Sequence, residues 1–114
     1  MTPFKAGDVV AVEFPFTDFQ TAKRRPGLVL AASEMDMLVA RLTKHPPREP
    51  SDVAMKHWHE TGLPRASTIR LTKLATTDHR LIHHKIGRLH PEDAMLVIDA
   101  WQGMIAAFRA ELGK

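Results

Sequence analysis

Residues 7–32 read GDVVAVEFPFTDFQTAKRRPGLVLAA, and the fold class turns on how they are parsed. The Gly7-Asp8 turn signal leads into β-branched and aromatic residues as far as Phe16, which reads as a strand. Pro15 limits how far that strand's ladder can run. Thr17–Arg25 is polar and charged without periodicity, hence a loop. Pro26–Ala32 is a continuous apolar run between turn signals, the mark of a buried strand.

Working outward, MLVARLT at 37–43 is a third strand after a tight turn at Glu34-Met35-Asp36. HPPREPSD at 45–52 is biased by its prolines toward extended loop. Residues 53–59 form a short strand and residues 60–64 turn the chain. STIRL at 67–71 alternates polar and apolar residues over a strand length, and LIHHKI at 81–86 is the last strand, preceded by a turn at 77–80. After His90 the period changes to 3.6. Pro91 takes the first helical position, and Glu92 and Asp93 place negative charge in the first turn. Val97, Trp101, Met104 and Phe108 share one face, with Ala94, Ile98, Ile105 and Leu112 beside them, and the core is expected to consume this face. No helices separate the strands, so a doubly wound α/β order is excluded. The expectation is a mainly β chain: a small curled sheet or barrel of about five to seven strands with a C-terminal α-helix.

The 114 residues favour one domain over 1–114. With no cysteine, disulfides, thiolate metal sites and cysteine nucleophiles are excluded, and a reducing cytoplasm is the expected compartment. The N-terminus lacks the pattern of a secretory signal, and no run approaches the roughly 18 apolar residues that span a bilayer. A formal net charge of +3 suits a phosphate-rich partner without requiring one.

Four constellations carry candidate chemistry. Lys23-Arg24-Arg25-Pro26 sets adjacent cations at a loop end. Arginine grips phosphate oxygens bidentately, and Pro26 narrows where Arg25 points; read alone, the run is equally a solvated loop. Thr43 closes the third strand, where a hydroxyl can donate to a phosphate oxygen, although strand propensity alone accounts for it. Seven histidines (45, 57, 59, 79, 83, 84 and 90) offer proton carriers near neutral pH. None of the recognised metal spacings occurs, so no metal site and no cofactor are expected. Arg65, Arg70 and Lys73 flank the STIRL strand, where Thr68, Arg70 and Thr72 share a polar, cationic face.

In order and spacing these pieces resemble the PemK/MazF toxin family, in particular its PemK-like members. The carriers are GDVVAVEFPFTD, the Arg-Arg-Pro run into GLVL, and then the Gly-Leu, Ser-x-x-Arg-Leu, Lys-Leu and Ile-Gly-Arg-Leu elements of residues 62–89 before the helix. The resemblance implies an SH3-like barrel, a homodimer whose junction carries an RNA groove, and an antitoxin whose extended tail fills that groove. It also implies metal-independent cleavage of single-stranded RNA by 2′-hydroxyl attack. On that basis Arg25 and Thr43 hold the scissile phosphate. Asp18, Lys23, Arg24, Lys44, Arg70 and Thr72 are the expected RNA-binding residues. The chain departs from the family where some members carry an aspartate (here Thr72), a first-loop histidine (here Gln20 and Thr21) and a serine after the threonine (here Lys44). These departures leave the general base unassigned. They also keep open an alternative, a non-cleaving toxin or a nucleic-acid- or protein-binding module on the same barrel.

Overall fold

The computed structural model describes residues 3–13 and 24–114. Six antiparallel strands form one sheet: β1 (Asp8–Glu13), β2 (Arg24–Ala32), β3 (Asp36–Thr43), β4 (Asp52–Ala54), β5 (Thr68–Asp78) and β6 (Ile82–Arg88), in spatial order β4-β5-β3-β2-β1-β6. A short helix α1 (Trp58–Thr61) follows β4, and α2 (Pro91–Leu112) ends the chain. The mainly β expectation holds. One cluster gathers Val9, Leu28, Leu42, Val53 and Ile69 with Ile86 and the α2 residue Val97. These residues come from all six strands, and they can meet only if the sheet curls around them. A second cluster on the opposite face joins Val10, Val12, Val29, Met37 and Val39.

The curl is built at register shifts. Between β3 and β5 the pairing jumps from Ala40↔Leu74 to Arg41↔Arg70, leaving residues 71–73 outside the ladder. Such bulges bend and twist the strand that carries them. This one hides the true length of β5, which runs to Asp78 instead of stopping at Leu71: the alternation of STIRL breaks where the strand bends, not where it ends. The turn expected at 77–80 therefore moves to a 3₁₀ turn at His79–Leu81, which begins at Asp78.

Two further expectations are corrected. β4 covers only Asp52–Ala54, and Trp58 and His59, read as strand, lie in α1. The cause is Asp93 of α2, which is fully buried and accepts the backbone N–H groups of Lys56 (2.8 Å) and His57 (2.9 Å), pulling the chain off the sheet edge. Nor does the core consume the whole apolar face of α2. Val97, Ala100, Trp101 and Met104 pack inward, while Ile98 (46% exposed), Ile105 (46%), Phe108 (65%) and Leu112 (70%) do not.

The Gly-Asp turn is as the sequence suggests. Gly7 adopts φ +95°, and the buried Asp8 carboxylate accepts the Lys5 N–H at 3.0 Å and meets Arg88 at 3.0 Å and Lys85 at 3.3 Å. Burial alone would raise its pKa; the Lys5 hydrogen bond and the two cations outweigh it and hold the carboxyl below its ordinary value. No helix among the described residues is long and apolar enough to cross a membrane.

Candidate active site

A single row crosses the sheet through Val10, Gly27, Arg41, Arg70 and Asp52, each the ladder partner of the next. Side chains two residues apart on a strand share a face, so Arg25 joins Gly27 on β2, and Thr43 joins Arg41 on β3, on this one face. Arg24 and Arg25 are not at a loop end, as the sequence suggested. They open β2, opposite Glu13 and Val12 of β1, so their backbones are fixed by the sheet.

The ends of β2 and β3, with the segment before β5, enclose a cavity of about 480 Å³. Arg24, Arg25 and Pro26 form one wall; Arg41, Thr43, Lys44 and His45 form the next; Arg65 and Ser67 complete it. No carboxylate lines it among the described residues. Like charge crowds Arg41, whose guanidinium is pushed below its usual value first by burial and then by the charges of Arg25 and Arg70. Thr43 Oγ1 accepts the backbone N–H of His45 at 3.3 Å, so its own hydroxyl proton remains able to donate into the cavity.

The structure thus brings together four expected residues, Arg24, Arg25, Thr43 and Lys44. It places Arg70 and Thr72 differently. Arg70 Nε lies 3.3 Å from Asp52 Oδ1 and its Nη2 3.8 Å from Glu49 Oε2, while the Thr72 hydroxyl donates to Glu49 Oε2 at 3.2 Å. Arg70 borders a small cleft beside Thr43 with Arg48 and Asp52; Thr72 lines neither cavity nor cleft. Asp52 also accepts the N–H groups of Arg48 (2.9 Å) and Glu49 (3.3 Å). Burial acts to raise its pKa, but these donors and Arg70 prevail and hold it low. Asp18 and Lys23 lie outside the described residues.

Sequence reasoning missed Arg41, Glu49 and Asp52. Arg41 carried a signal, since it stands two residues before Thr43 on the same strand face. Nothing in the proline loop marked Glu49 or Asp52 as partners of an arginine on another strand. Away from the cavity, the His57 and His90 rings stack at 3.6 Å, and a His57-Glu60-His90 group sets three ligand atoms within 4.8 Å of one another. His90 Nδ1 accepts the Glu92 N–H as the N-cap of α2, which leaves the ring proton on Nε2, the atom that faces Glu60 at 3.5 Å. That protonation suits a cap and a hydrogen bond, not a chelate. His90 therefore caps its helix itself, in a position where serine is the usual choice.

A curled antiparallel sheet with a C-terminal helix, and at the ends of β2 and β3 a cationic cavity with no carboxylate among its described lining residues, defines a small β protein with a positively charged site. Residues 5–103 match the model of the PemK-like, MazF-like toxins of type II toxin–antitoxin systems, and the chain belongs to that family. No curated protein matches it by sequence. Among solved structures it is similar to an endoribonuclease in complex with its cognate antitoxin from a mycobacterial species, with TM-score 0.72, 16% identity, and coverage of 90% of this chain and 94% of that one. It is also similar to MazF from Deinococcus radiodurans (TM-score 0.71, 18% identity, 93% and 98% covered) and to the Mycobacterium tuberculosis toxin MazF-mt6 (0.68, 17%, 82% and 90%). At these identities the likeness is one of fold.

Proposed function

We propose that this chain is the toxin of a type II toxin–antitoxin pair and acts as a metal-independent endoribonuclease on single-stranded RNA. The observation that carries the reading is the convergence of Arg25, Arg41, Thr43 and Lys44 on one cavity with no carboxylate among its described lining residues. Such a site attracts a phosphodiester and repels a divalent cation. Attack by the 2′-hydroxyl on the adjacent phosphorus builds negative charge on the phosphoryl oxygens. Arg25, on a backbone set by the sheet, contacts those oxygens with its guanidinium and Thr43 donates its hydroxyl; one preorganised donor is worth on the order of 3 kcal/mol. Lys44, just after β3, and Arg24, at the start of β2, extend the cationic surface.

Similarity to the solved toxins named above supports the cleavage reading and an antitoxin as partner, whose acidic or extended segment would compete with RNA for this cavity. A cytoplasmic setting follows from the substrate. The expected second copy has a fitting surface. On α2, Ile98, Trp101, Ile105, Phe108 and Leu112 are spaced alternately three and four residues apart, the 3.5-residue period by which one helix packs along another, and four of the five remain exposed.

Purified protein incubated with single-stranded RNA in excess chelator should leave 2′,3′-cyclic phosphate ends, and Arg25→Ala should abolish them. Folded wild-type protein that leaves RNA intact would overturn the reading in favour of a non-cleaving toxin or binding module.

A further inference from the structure

Cleavage by 2′-hydroxyl attack needs a group that takes the hydroxyl proton, and the cavity offers few. Guanidinium and ammonium groups are donors with no site for a further proton. Thr43 and Ser67 are hydroxyls with no carboxylate among the described lining residues to activate them. Glu49 and Asp52 are engaged by Arg70, and Asp52 accepts two backbone N–H groups besides. Among the described lining residues, His45 is the one side chain that can accept a proton near pH 7 without placing a negative charge among the cations. None of the other six histidines lines the cavity, and the segment 14–23 contains none.

The position of His45 adds a second argument. It follows Thr43 by two residues, and its backbone N–H is the donor to Thr43 Oγ1 at 3.3 Å. The hydroxyl that meets the phosphate and the imidazole are therefore carried by one turn at the end of β3. His45 borders both the main cavity and the small cleft of Arg70.

We propose that His45 is the general base of RNA cleavage, a role that rests on the endoribonuclease reading above. The neutral imidazole takes the 2′-hydroxyl proton as the O2′–P bond forms. The P–O5′ bond breaks, and the leaving 5′-oxygen takes a proton from water. The products are a 2′,3′-cyclic phosphate and a 5′-hydroxyl end, and the imidazolium returns its proton to solvent. Among the described residues, the charged groups facing His45 are Arg24 and Arg25 from β2, Arg41 from β3, Lys44 just after it, and Arg65 ahead of β5. From the cleft side they are Arg48, Asp52 and Arg70.

The test is the single-turnover cleavage rate of full-length wild type, His45→Gln, His45→Ala and Asp18→Asn against pH in chelator. Binding to a substrate with 2′-deoxyribose at the cleaved position is measured in parallel. Wild type should lose rate on the acidic side of neutrality. His45→Gln, which keeps the backbone donor to Thr43, should fold, bind the inert substrate as wild type does, cleave roughly 10²–10⁴-fold more slowly and lose the acidic limb. Added imidazole should restore part of the rate of His45→Ala. A His45→Gln variant with wild-type rate and limb overturns the proposal and leaves the nuclease standing. So does loss of the limb in Asp18→Asn alone. A wild type that does not cleave at all overturns both.

Discussion

Arg70 of β5 faces Asp52 of β4 across the ladder, with Arg70 Nε 3.3 Å from Asp52 Oδ1, and the Asp52 side chain is 1% exposed. Removing one member of a buried pair strands the other charge, at a cost of about 3 kcal/mol or more. Arg70→Ala should therefore lower the urea midpoint substantially, whereas Arg25→Ala, at an exposed position, should leave it within about 0.5 kcal/mol of wild type. On protein that is still folded at low temperature, RNA affinity should fall more for Arg25→Ala than for Arg70→Ala. Filter binding alongside denaturation separates the two roles.

The carboxyls of Asp8 and Asp52 are both held below their ordinary 3.8 in the folded chain. The unfolded chain then binds more protons than the folded one below about pH 4, so stability rises with pH through that window. The contribution is complete above the unfolded value and is lost as pH falls through the folded ones. Half-buried Asp78, drawn to about 2 chiefly by its hydrogen bond with the Arg80 side chain, extends the window downward with an effect that salt screens. Urea midpoints should be flat from pH 7 to 5 and fall steeply below 4, with a smaller acid loss in Asp52→Asn.

Gly87 and Gly103 should respond oppositely to alanine. A Cβ on Gly87 would lie 1.8 Å from the carbonyl oxygen of Thr61, so α1 and β6 must separate to admit it; around Gly103 there is nothing within 4 Å. Gly87→Ala is expected to cost several kcal/mol or to prevent folding, because the obstacle is backbone and not a movable side chain. Gly103→Ala in the exposed middle of α2 should add about 0.5–1 kcal/mol. Thermal melts of both variants check this directly.

Asp93→Ala should cost about 2–4 kcal/mol, since it leaves the N–H groups of Lys56 and His57 without their carboxylate. Asp93→Asn retains one acceptor and should lose less. Because the damage is local, hydrogen exchange at residues 55–62 should quicken more than in β1 or β3.

Phe108→Glu with Leu112→Glu places charge on the exposed stripe of α2 without touching the inward residues Val97 and Met104. Sedimentation should show the wild type as a dimer and the double variant as a monomer with an unchanged circular dichroism spectrum. A wild type that sediments as a monomer, or a variant that remains dimeric, removes α2 from the subunit contact.

Local pattern determined much of this protein. The β-rich class, the terminal helix with its Pro91 start and the Gly7-Asp8 turn rest on period, turn chemistry and fixed φ, all of which act within a few residues. Arg25 and Thr43, the pair proposed to hold phosphate, came from motif order, and strand pairing explains why a one-face cavity can join them. Contacts distant in sequence decided the rest. Asp93 turned residues 56–59 away from the sheet from 36 positions along the chain. The bulge at 71–73 lengthened β5 past its broken alternation. Arg70 went to Asp52 and away from the cavity, while Arg41 and His45 came into it. A side chain's neighbours across strands depend on register, which single residues do not encode; only the folded sheet sets which cations meet an anion and which meet a carboxylate.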